Sequence, residues 1–179
     1  MTTIKLVILG LLYREPMHGY EIKSTIEKNM GDWTDIKFGS IYFALSKLVE
    51  ESAIEVVEEV KEGNRPAKTI YRITKKGKDE YMRLLRKIWG DEQKVYYPFD
   101  IAVYFMKSLP KNEVGFYLSE RIMELKNKLK YYKEQQTELD KTSKKRHYKQ
   151  AIMDHTLLHM EAELYWLQKM LQQLDEYYV

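Results

Sequence analysis

The chain has 179 residues, 44% apolar and 32% charged, with a formal net charge of +3, a composition that suits one or two folded domains and excludes a disordered or fibrous chain. It has no cysteine, which excludes disulfides and thiolate metal sites. No apolar run approaches the ~20 residues that span a bilayer, and the start MTTIKLVILGLL lacks the basic region and cleavage site of a signal peptide, so a cytoplasmic protein with no membrane partner is expected.

Ile4, Val7, Ile8, Leu11 and Leu12 recur at i, i+3, i+4, i+7 and i+8, the stripe of a buried helix. Leu6 and Leu9 give it a second apolar face, so Ile4 and Ile8 are expected to meet a partner subunit. Pro16 closes this helix, and a short one follows from His18 to Asn29.

After a break at Gly31-Asp32, a third helix begins near Gly39-Ser40. Ile41, Ala44, Leu45, Leu48 and Val49 form its inner stripe, leaving Ser40, Tyr42, Phe43, Ser46 and Lys47 facing outward. An exposed aromatic pair beside a lysine is unusual for a purely structural face and suits contact with a DNA groove.

From Ile54 the period changes to two, and a second alternating run spans Thr69 to Ile73. The turn segment Glu62-Gly63-Asn64-Arg65-Pro66-Ala67 between them makes a two-stranded wing. Seven basic residues lie between Lys61 and Lys78 against Glu62 alone. A basic wing behind a helix-turn-helix, with Asn64 and Arg65 at its turn, is the footprint of a DNA-binding surface. Thr74 caps a fourth helix, with Tyr81, Leu84, Leu85 and Ile88 inward. Residues 1–90 are thus expected to form a winged helix-turn-helix domain, followed by a connector to Tyr97.

Residues 98–179 read as a helical dimerisation domain. Leu118, Ile122, Leu125, Leu129, Tyr132, Gln136 and Leu139 keep a strict heptad spacing, as do Met153, Leu157, Met160, Leu164, Leu167, Leu171 and Leu174. Two such seams joined by a polar segment form a long helical hairpin. Leu157, Leu164, Leu167 and Leu171 are the expected dimer contacts. The fold class is therefore mainly α with a small β wing.

Catalytic signatures are absent: there is no G-x-S-x-G elbow, G-x-G-x-x-G turn or P-loop. His155 and His159 have metal-ligand spacing, but Thr-Leu-Leu separates them and the glutamate of H-E-x-x-H is missing. They are expected to be satisfied core or interface histidines, with no metal and no cofactor.

Three segments resemble the signature of PadR-type transcriptional regulators: His18-Gly19-Tyr20-Glu21-Ile22, Gly39-Ser40-Ile41-Tyr42-Phe43-Ala44-Leu45-Ser46-Lys47-Leu48, and Arg65-Pro66-Ala67-Lys68-Thr69-Ile70-Tyr71-Arg72-Ile73-Thr74-Lys75-Lys76-Gly77. The likeness covers about residues 4 to 86, and the C-terminal half resembles the family's longer branch in helical pattern. It implies a homodimeric repressor on a near-palindromic operator in double-stranded DNA. Ser40, Tyr42, Phe43 and Lys47 would lie on the recognition helix, Asn64, Arg65 and Lys68 on the wing, and Tyr20 beside them. The chain departs from the pattern at Ser52-Ala53, where a glycine usually ends the recognition helix. The family also implies a small aromatic effector, and Trp89, Tyr97, Phe99 and Phe105 around the connector are its expected site. A protein-interaction module that uses wing and hairpin without DNA is the alternative.

Overall fold

In the computed structural model, which describes residues 2–31, 34, 36–60, 68–91, 94–142 and 147–179, the chain divides into an N-terminal unit, Met1–Lys94, and a C-terminal unit, Val95–Val179.

Helix α1 (Thr2–Leu12) is the centre of the first unit, packing on α2 (Gly19–Met30), α3 (Phe38–Glu50) and α4 (Lys75–Gly90). Ile4, Ile8, Leu9, Leu11 and Leu12 are buried there, with Leu6 and Val7 against the same core. The second apolar face therefore turns inward, and Ile8 keeps no exposed surface with which to meet another subunit. A helix surrounded by its own neighbours is apolar all round for the same reason that one at an interface is.

Ile22 and Ile26 of α2 and Ile41, Ala44, Leu45 and Leu48 of α3 complete this core. Each fully buried aliphatic side chain contributes roughly 1.5–3 kcal/mol. At the start of α2 the His18 amide donates to Glu21 Oε2 at 2.9 Å, which fixes the entry of the helix. The neighbouring helix α3 closes with a Schellman motif: Ser52 N–H donates to Val49 O and Ala53 N–H to Leu48 O, both at 2.9 Å. Ser52 adopts φ 56°, the left-handed conformation usually reserved for glycine. The departure seen in the sequence thus leaves the helix exit in place, at a cost of about 1 kcal/mol.

Strands β2 (Ile54–Val60) and β3 (Lys68–Ile73) pair antiparallel, with Ile54 opposite Ile73 and Val60 opposite Lys68, and a register shift between Val56 and Glu58. A third strand, β1 (Met17–His18), adds to the other edge of β3, giving the order β1-β3-β2. The expected two-stranded wing is a three-stranded sheet. Two residues are too few to show a period in sequence, and only pairing makes them a strand.

Thr74 joins sheet, α3 and α4. Its hydroxyl accepts from Gly77 N at 3.1 Å and lies 2.8 Å from the Ser52 carbonyl oxygen, to which it donates. Gly77 packs directly under this junction, where a Cβ would stand 2.0 Å from the Ala53 carbonyl oxygen.

The second unit comprises α5 (Pro98–Tyr104), a 3-10 turn (Met106–Ser108), α6 (Lys111–Thr142), α7 (His147–Gln172) and α8 (Leu174–Tyr177). With 32 residues, α6 extends about 48 Å. Leu118, Ile122, Leu167, Met170 and Leu174 are buried in one cluster, with Leu125, Leu164 and Leu171 against it. The heptad seams therefore face each other within one chain. Leu157 is buried and Leu167 has no exposure, so these expected dimer contacts are interior to the hairpin. A heptad repeat specifies a helix–helix contact but not whether the second helix belongs to the same chain.

Polar rungs flank the seam in antiparallel order: Arg121 with Glu163 at 3.2 Å, Lys133 with Glu161 at 2.7 Å, and Gln136 Nε2 donating to Asp154 at 2.6 Å. The chain end is also tied down, because Tyr178 Oη donates to the Met106 carbonyl at 2.7 Å and Lys107 Nζ to the Val179 oxygen at 3.1 Å.

Candidate nucleic-acid interface and an aromatic cleft

Burial of Ile41, Ala44, Leu45 and Leu48 fixes the rotation of α3 and turns Ser40, Tyr42, Phe43 and Ser46 to its outer face. Tyr42 and Phe43 are 43% and 54% exposed, more than a fold needs from two aromatic rings on a buried helix. Lys47 is partly buried and pairs with Glu50 at 2.6 Å, and that carboxylate holds the ammonium pKa above its ordinary value. The Ser46 hydroxyl donates to the Tyr42 carbonyl at 3.2 Å. No acidic residue occupies the first turn of α3, whose N-terminal amides favour an anion.

Gly19 brings α2 against this face. A Cβ there would lie 3.3 Å from the Tyr71 ring, which would have to give by a few tenths of an ångström, and in ordinary contact, 3.5 Å, with the Tyr42 ring. The next residue, Tyr20, is 53% exposed and stacks on His18 with ring centroids 5.3 Å apart. Tyr20, Tyr42, Phe43 and Lys47 thus lie on elements that share one junction. On the wing, Arg72 and Glu55 face each other across β2 and β3 at 3.6 Å. Lys68 opens β3 opposite Val60, while Asn64 and Arg65 lie outside the described residues.

In the C-terminal unit a cleft of about 660 Å³ is lined by Tyr97, Phe99, Arg121, Glu163 and Trp166, among others. Phe99 meets Trp166 edge to face at 5.8 Å, and the Arg121 guanidinium carbon stands 4.3 Å above the Phe99 ring while its Nη2 donates to Glu163 at 3.2 Å. The cleft takes in two of the expected effector residues, Tyr97 and Phe99. Phe105 does not line it and packs edge to face on Tyr104 at 4.9 Å. Trp89 belongs to the other unit and is 85% exposed. Arg121, Glu163 and Trp166 carry no signal in the sequence because they sit on α6 and α7, far along the chain from the aromatic connector, and only hairpin packing brings them to Phe99.

His155 and His159, expected as core or interface residues, are exposed on α7. Among the described residues no group of three or more histidine, aspartate or glutamate side chains could hold a metal. Among the same residues no helix is long and apolar enough to cross a membrane.

Residues 8–83 match the model of the "Transcriptional regulator PadR-like family", and residues 98–175 match that of the "Virulence activator alpha C-term". The "Negative transcriptional regulator PadR" of Bacillus subtilis is 28% identical over 129 residues, covering 72% of this chain and 70% of the relative. Residues 8–83 thus carry a PadR-like domain, and the chain is similar to PadR-type transcriptional regulators. The C-terminal match fits the longer branch of such regulators. Among solved structures, B. subtilis PadR in complex with operator DNA superposes with a TM-score of 0.79 at 25% identity, covering 96% of this chain and 99% of that one. The same protein in complex with p-coumaric acid gives a TM-score of 0.75 at 24% identity, over 96% and 98% of the two chains. The mainly helical winged-helix architecture is thus that of PadR itself.

Proposed function

We propose that this chain is a homodimeric repressor of the PadR type, acting in the cytoplasm by binding rather than catalysis, that leaves a near-palindromic operator when a small aromatic acid occupies its cleft. The observation that carries this reading is the outer face of α3, with two half-exposed aromatic rings and a lysine beside Tyr20 at the start of α2. Side chains of this type contact base edges and phosphates when a recognition helix enters the major groove. The B. subtilis relative solved with operator DNA supports DNA as the partner.

Lysine and arginine contacts to phosphate supply much of the affinity and make it fall with salt. Ser40, Tyr42, Phe43 and Lys47 give the sequence preference, and Asn64, Arg65 and Lys68 of the wing flank it. A second copy repeats the face on a half-site about 34 Å away, so losing either half-site weakens both.

The effector enters the cleft of the C-terminal unit. Its ring packs on Phe99 and Trp166, and its carboxylate takes the place of Glu163 on Arg121. The p-coumaric acid complex of the B. subtilis relative supports an acid of this class. Phe99 sits at the start of α5, directly after the connector from the DNA-binding unit. An effector with ~1–3 kcal/mol of preference for the released state would lower DNA affinity about 5- to 150-fold.

The test is anisotropy of labelled promoter duplex at stepped salt, with the native chain and an R65Q/K68Q variant. The variant should bind all sequences more weakly, with a log–log salt slope flatter by roughly 0.9 for each phosphate it no longer neutralises. Absence of binding at low salt would sink the DNA reading and favour a protein-interaction module. Sedimentation at twice the chain mass tests the dimer. For the effector, a variant retaining only Trp166 should lose fluorescence as p-coumaric acid is added, and F99A should blunt that response.

A further inference from the structure

Histidine is a mediocre helix former and adds nothing to an exposed helix face that glutamate or lysine would not do better. The outer side of α7 nonetheless holds two, His155 and His159, one turn apart. Positions i and i+4 bring their Cβ atoms to within about 5–6 Å. Here the rings converge, with centroids 4.4 Å apart at 62° and the two Nε2 atoms separated by 3.1 Å.

That separation is the bite of a chelate. With metal–nitrogen bonds of about 2.05 Å, a 3.1 Å nitrogen pair subtends roughly 98° at the metal, between the octahedral and tetrahedral values. Without an ion, two neutral imidazoles can hold this approach only if one Nε2 carries the proton and donates it to the other. The helix has already fixed the two ligands, so binding an ion requires little further ordering.

We propose that His155 and His159 chelate a divalent transition ion of the zinc, nickel or copper class, with water in the remaining positions. Two imidazoles and no carboxylate select such borderline ions over magnesium or calcium, which demand oxygen ligands. With only two protein ligands the site stays open and its ion exchangeable. It is independent of DNA binding and of the aromatic cleft.

The experiment is calorimetric titration of the untagged full-length protein with zinc chloride, alongside H155Q, H159Q and, as a control on the same helix, H147Q. The native chain and H147Q should bind zinc. Each of H155Q and H159Q should lose at least the roughly 10-fold in affinity that loss of an outer-sphere partner alone can cost. Magnesium should give no heat. In the native chain, trace copper should broaden the ring protons of His155 and His159 and leave those of His18 sharp. The proposal is overturned by absence of zinc binding to the native chain, by binding that survives in H155Q and H159Q, or by copper broadening confined to other histidines.

Discussion

The two units reach their cores by different routes. In the N-terminal unit, short elements of both kinds close around α1, and residues far apart in sequence meet at single atoms, as when the Thr74 hydroxyl reaches the Ser52 carbonyl. In the C-terminal unit, two long helices repeat one contact along their length, with salt bridges as rungs. The first arrangement orients a small face in detail, as the proposed DNA-reading role of α3 requires. The second leaves more room for variation, and it is there that a cleft opens between Phe99, Arg121 and Trp166.

The sharpest way to test this contrast is to remove the same side chain from each unit. Leu45→Ala and Leu167→Ala each empty a fully buried site and should each cost about 2–5 kcal/mol. In urea melts, L45A should lower the midpoint of the N-terminal unit and abolish DNA binding, whereas L167A should lower that of the hairpin. If both variants shift one common transition equally, the units fold as one and the contrast fails.

Gly77→Ala probes the single-atom junction. Its methyl would collide with the Ala53 carbonyl and with Ile73, and overpacking of this kind costs typically about 1–3 kcal/mol, occasionally more. The equivalent change at the exposed Gly90, where a Cβ meets nothing within 4 Å, should be neutral or slightly stabilising. Equal melting temperatures for the two variants would show that the junction relaxes easily.

Thr74→Ala removes the cap of α4 and the link to Ser52 together. A loss of about 0.5–2 kcal/mol by denaturant titration is expected from the cap, and Thr74→Ser should restore most of it. The smallest effect has the opposite sign. Ser52→Gly relieves a left-handed residue and should stabilise the N-terminal unit by up to about 1 kcal/mol. If it destabilises, the Ser52 side chain makes a contribution beyond its backbone conformation.

These sites also separate what is legible in the chain from what is not. The inner stripe of α3 is legible because burial follows a 3.6-residue period, and that stripe alone sets the outward direction of Tyr42 and Phe43. The Thr74 cap is legible because capping is local. The hairpin seams are legible as seams, yet their pattern is the same for contact within a chain and between chains. The two-faced pattern of α1 is ambiguous in the same way, and burial of Ile4 and Ile8 beneath the unit's own helices resolves it.

By itself, then, the sequence determined the winged helix-turn-helix, the outward face of α3 and the likeness to PadR-type regulators, because periodicity, capping and motif order are properties of neighbours along the chain. Only the tertiary structure decided the third strand of the sheet, the inward destination of the seams, the meeting of Arg121 and Trp166 with Phe99, and the exposure of the His155–His159 pair. Each of these depends on which distant segments pack together, and a one-dimensional pattern records that a surface must be covered without recording what covers it.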